Sequence, residues 1–147
     1  MPNATIAALW RYPVKSFQGF PTDSLTLGPR GVNGDRRYAL VDSATDRMLS
    51  AKSRADLLMA TAEETQDGGV LLTLPDAAQI RADDADIAGV LSTWIGRPVI
   101  LAEADTGEDP LTYDERSRSY EMTFEPEHDA AEYVPIPSPA GTFLDLA

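Results

Sequence analysis

The chain contains no cysteine and a single histidine, His128. Without cysteine there is no disulfide framework, no thiolate nucleophile and no sulfur ligand for a metal. With one histidine in an acid-rich stretch, a histidine-built zinc site or a Ser/His/Asp triad would have to rest on that residue alone. Long apolar runs are missing too. No window approaches the eighteen or so apolar residues of a membrane helix, and no basic segment followed by an apolar one opens the chain. These absences point to a protein of the cytoplasm, outside the membrane and without a secretory leader.

What is present fits one folded domain. The 147 residues are 43% apolar and 24% charged, enough for a real core and too short for two ordinary domains. The net charge of −12 is unevenly spread. From Glu103 to Ala147 twelve acids stand against Arg116 and Arg118 alone. From Arg11 to Arg54, by contrast, Arg11, Lys15, Arg30, Arg36, Arg37, Arg47, Lys52 and Arg54 outnumber Asp23, Asp35, Asp42 and Asp46. A basic region within an acidic protein suggests a local anion site, and the overall charge argues against binding nucleic acid.

The pattern of the first hundred residues is mostly β. "ATIAALWRYP" reads as a strand stopped by Pro13, and "SLTL" as a second, closed by the glycine-rich loop "GPRGVNGDR". "RRYALVDSATDRMLSAK" reads as a hairpin turning near Ser43 to Asp46, with a short helical or irregular piece around "RADLL" after it. "LMATAEE" and "GVLLTL" form a further antiparallel pair, and "PVILAEA" a last strand. One helix stands out over residues 84–95. Ile87, Val90, Leu91, Trp94 and Ile95 share a face, Asp84 serves as N-cap, Gly96 stops the helix and Pro98 follows. That stripe, Trp94 included, reads as core. The expectation is a mainly β fold, a small antiparallel barrel with one packed helix, over residues 1–104, followed by an irregular acidic extension over 105–147.

The motifs that could carry chemistry are few. The glycine loop fits neither dinucleotide nor P-loop spacing, and "DTGEDPLTYDE" lacks the spacing of a calcium loop, so it reads as a solvated acidic face. What remains is a set of bases at strand ends: Lys15 with Ser16 after the first strand, Arg36 entering the third, Lys52 and Arg54 leaving the fourth. On one rim of a barrel these could surround a phosphate or carboxylate. Taken singly they also read as ordinary surface bases, and Asp35 as the ion-pair partner of a neighbouring arginine.

"LWRYPVKS", "GDRRYALVD" and "MLSAK", in that order, resemble the N-terminal β-barrel domain that precedes the MOSC domain in molybdenum-cofactor proteins, amidoxime-reducing enzymes among them. The likeness is densest over residues 8–53, and Ser50, Ala51 and Lys52 stand where many relatives carry Thr, Ala and Arg. The resemblance implies a lobe that clamps molybdopterin and gates substrate, with Lys15, Ser16 and Arg36 on the anionic groups of the cofactor and Lys52 at the fourth position. It also implies a MOSC domain as partner, in cis or in trans, and possible dealings with an electron-transfer protein. The metal-binding cysteine of such proteins belongs to the MOSC domain. The present residues alone are therefore expected to be non-catalytic and to hold no metal or tightly bound cofactor. The apolar ending "GTFLDLA" lies where relatives run on into that domain and reads as a cut. The competing expectation is a free-standing anion-binding or protein-interaction module whose acidic end docks a basic partner.

Overall fold

Residues 38–42, "YALVD", are apolar at almost every position, the signature of a strand buried on both faces rather than one. The computed structural model describes residues 5–28 and 31–104, and in it this strand (β5, Tyr38–Asp42) is central. It pairs antiparallel with β6 (Arg47–Met48) on one side and with β10 (Val99–Glu103) on the other. Leu40 points into the main core with Val14, Phe17, Leu49, Leu57, Leu72, Leu91 and Val99. Its neighbours Ala39 and Val41 face the opposite way, into a smaller cluster with Met48, Ala102 and Ala104.

Three more sheets surround it. β1 (Leu9–Arg11) pairs with β2 (Phe20–Thr22), and β3 (Leu27–Gly28) with β4 (Gly31–Val32). β7 (Thr61–Glu64), β8 (Val70–Thr73) and β9 (Gln79–Arg81) form a meander. A 3-10 helix, Ala55–Met59, precedes β7. The fold is thus mainly β with one helix, but among the described residues no sheet closes into the barrel expected from the sequence. Most strands are two to four residues long, and their pairings stop short of a continuous ladder around a ring. Instead, residues 13–18 lie between the central sheet and the meander and touch each through a single parallel bridge, Val14 to Tyr38 and Gln18 to Thr61. Backbone hydrogen bonds fix both: Lys15 N to Tyr38 O (2.8 Å), Tyr38 N to Pro13 O (3.0 Å), Gln18 N to Ala60 O (2.9 Å) and Ala62 N to Gln18 O (2.9 Å).

The helix α1 runs from Ile87 to Ile95 and packs on β10. Leu91 and Ile95 are buried, while Ile87, Val90 and Trp94 pack against the core from its margin. Trp94 meets Phe17 edge to face, with centroids 5.7 Å apart. Its start corrects the sequence reading. Asp84 is not the N-cap; its Oδ1 accepts Asp86 N (2.9 Å) and its carbonyl accepts Ile87 N (3.2 Å), making a turn ahead of the helix. Asp86 occupies the cap position without a side-chain cap bond. At the other end Gly96 takes the expected left-handed conformation, φ +78°, and returns its N–H to Ser92 O. Among the described residues no helix is long and apolar enough to cross a membrane. The acidic stretch assigned to 105–147, with His128, lies outside the described residues.

Candidate anion site around residues 12 to 16

Beyond the end of β1 at Arg11, Pro13 bends the chain and Val14 and Phe17 drop into the core, so the residues between them form a tight turn closed by Phe17 N to Val14 O (3.3 Å). The third position of that turn falls on Ser16, at φ +67°. A turn of this class favours glycine there, and a serine is held at positive φ only by its surroundings. The holding contact is visible: Ser16 Oγ accepts Ala51 N at 3.0 Å. The hydroxyl therefore ties the turn that carries Lys52 to the Val14–Phe17 turn, and as a donor its proton is still available for another acceptor.

Lys15 is only 2% exposed, a depth at which lysines rarely lie without a partner. It does take part in a polar or electrostatic interaction. Its backbone is docked on the central sheet, Lys15 N donating to Tyr38 O beside the Val14–Tyr38 bridge.

Arg36 joins the same corner from the next loop. Its N–H donates to Tyr12 O at 2.6 Å, and its φ of +48° is the second such conformation near the site. The guanidinium, about one-third exposed, donates from Nε to Asp35 Oδ2 at 3.0 Å. Asp35 Oδ1 in turn accepts Tyr12 N at 2.9 Å. Asp46 and Ala77 also adopt positive φ, but at the tips of the β5–β6 and β8–β9 connections, where turns need it.

The structure thus gathers the backbones of Lys15, Ser16 and Arg36 around residues 12–16, and brings the Lys52 turn to them through the Ser16–Ala51 bond. Lys52 itself is exposed and has an interaction partner of its own. Other bases of the region are committed to structure. Arg54 donates Nε and Nη2 to Asp56 and both Nη atoms to Ile95 O (3.2 Å each), which caps the last turn of α1. The Asp56 bond holds that guanidinium above the ordinary arginine value and the Asp56 carboxyl below its own. Arg37 donates to Glu103 (2.7 Å) and lies over the Tyr38 ring; its titration is pushed up chiefly by the Glu103 bond. Arg11 pairs with Glu64. Arg54, grouped with the anion-site bases in the sequence reading, is therefore a helix-capping residue here. Asp35 is the residue that spacing alone undervalued: the D-R dipeptide signals an ion pair, whereas the bond from Tyr12 N to the other carboxylate oxygen appears only in three dimensions.

As chemistry, an ammonium, a hydroxyl and a guanidinium suit an anionic oxygen group such as a phosphate. Among the described residues no group of three or more His, Cys, Asp or Glu could hold a metal ion. The family model of the MOSC N-terminal beta barrel domain matches residues 3–94, which include all four of these positions. No curated protein matches the chain.

Proposed function

The chain belongs to the family of MOSC N-terminal beta barrel domains, and from that premise we propose that it is the cofactor-clamping, substrate-gating lobe of a MOSC-type molybdenum oxidoreductase. The observation that carries the reading is the convergence of Lys15, Ser16 and Arg36 on one corner whose conformation is held at positive φ at two non-glycine residues. Strain of about 1–3 kcal/mol per residue persists where surrounding contacts over-determine it, and such places are often functional.

The donor set fits the anionic part of a molybdopterin. Lys15 and Arg36 would supply charge, Ser16 a hydroxyl donor, and Lys52 a further cation on a turn that Ser16 positions. Backbone hydrogen bonds fix the turn and loop that carry Lys15, Ser16 and Arg36, which limits reorganisation when the anion arrives. The set does not fit ligation of the metal, because the chain has no cysteine; that ligand would come from a MOSC domain, in cis or in trans. When bound, the cofactor supplies two-electron redox chemistry at molybdenum, and the residues of this chain bind and orient its anionic end and close one side of the cleft.

The test is cofactor content in the protein joined to or co-expressed with a MOSC domain. Lys15→Ala combined with Arg36→Ala should lower molybdenum and pterin per folded protein by about tenfold or more, since charge-assisted bonds are worth about 1.5–3 kcal/mol each. Full occupancy in the folded double variant would overturn the clamp.

A further inference from the structure

Asp35 sets a carboxylate in this basic corner, where it pairs with Arg36 yet works against the binding of an anion, a cost that calls for a reason. Its geometry supplies a reason. One oxygen accepts Tyr12 N (2.9 Å) and the other accepts Arg36 Nε (3.0 Å), while Arg36 N donates back to Tyr12 O (2.6 Å). Three bonds among three residues close a ring that fixes both the strained backbone of Arg36 and the root of its guanidinium. The carboxylate is four-fifths buried, and its two oxygens are committed to different donors. A guanidinium can grip an oxyanion through its Nε–Nη2 edge or its Nη1–Nη2 edge. With Nε taken, the edge left for a bidentate grip is Nη1–Nη2.

We propose that Asp35 is a positioning residue for anion recognition: it takes Arg36 Nε, locks the guanidinium plane, and thereby commits Arg36 to bind a phosphate-class oxyanion through its terminal Nη1–Nη2 edge. This rests on the anion-site reading above. It makes a prediction opposite in sign to the charge effect. Removing the negative charge weakens anion binding, because the loss of a fixed fork outweighs the loss of repulsion.

The test is a titration of the full chain with inorganic phosphate, followed by NMR at the amides of residues 15–17 and at Arg36 Nε–H. Asp35→Asn keeps the shape but offers one acceptor to two donors. It should leave the amide spectrum dispersed, speed solvent exchange at Arg36 Nε–H, and weaken phosphate binding by about fivefold or more. In an Arg36→Ala background the same substitution should have no further effect on affinity. Arg36→Lys, which keeps the charge and loses the fork, should weaken binding as Asp35→Asn does, and serves if the latter fails to fold. Unchanged or tighter phosphate binding in Asp35→Asn, or wild-type affinity in Arg36→Lys, overturns the role of Asp35 alone. Absence of phosphate binding by the unsubstituted chain, read at the same amides, overturns the anion site and the positioning role with it.

Discussion

Ser16 carries two opposing effects in one side chain. Its backbone at φ +67° is strained for any residue with a Cβ, while its Oγ satisfies Ala51 N. Alanine keeps the strain and loses the bond; glycine loses the bond and relieves the strain. Ser16→Gly should therefore be more stable than Ser16→Ala by about 1 kcal/mol in urea unfolding, although both lose an acceptor. The reverse order would mean that the turn is not held as described. The same residue shows what could be read from the chain alone. A lysine and serine directly after a proline-ended strand mark a strand end with a cation and a hydroxyl, and that much is a matter of residue type. That Ser16 spends a lone pair on Ala51, thirty-five positions away, is set by packing, and no local pattern encodes it.

At the scale of elements, the β5–β6 hairpin shows a buried charge used as a fastener. Asp42 ends β5; its Oδ1 accepts Ala44 N (2.9 Å) and Thr45 N (3.1 Å), closing the turn. Arg97, just beyond α1, lies 3.2 Å away by Nε, outside hydrogen-bond geometry. Burial pushes the Asp42 carboxyl up, but the two backbone N–H groups and the Arg97 charge outweigh it, and the group titrates below the ordinary carboxylate range. The unfolded chain then takes up the proton first as acid is added. The stabilisation is whole above the unfolded value of about 3.9 and is lost as pH falls through the lower folded value. Between about pH 5 and pH 2 the wild-type chain should lose more unfolding free energy than Asp42→Asn, as measured by denaturant melts at each pH. Parallel losses would rule out this linkage. The hairpin, the meander arms and α1 were legible because each announces itself by period or turn residues within a short window. β2 and β9 were not, since "FPT" contains a proline and "QIR" is three residues of mixed character. Their strand conformation comes from the partners that dock beside them, Leu9–Arg11 and Leu71–Thr73. The helix start was misplaced for a related reason: Asp84 offers a carboxylate in the right region, but a turn captured it before the helix could.

For the whole molecule, the dominant physical fact is charge. A formal charge of −12 on 147 residues repels itself in the compact state more than in the expanded one. Raising salt from about 0.01 M to about 0.15 M shortens the screening length from about 30 Å to about 8 Å, so the thermal midpoint should rise over that range. A midpoint that falls instead would show that attractive pairs such as Arg11–Glu64 and Arg37–Glu103 outweigh the repulsion. Composition and short-range periodicity alone carry the β-rich class, the core stripe of the helix, the lack of cysteine and the excess of bases from Arg11 to Arg54. Closure is not written in any short stretch of residues. Whether short strands join into a barrel depends on pairings between distant segments, and here residues 13–18 link two sheets by single bridges instead of a continuous ladder. The same docking buries Lys15, strains Ser16 and sets Asp35 against both Tyr12 and Arg36. Those features arise from where chain segments meet, and segment meeting is a property of the fold rather than of any stretch of residues.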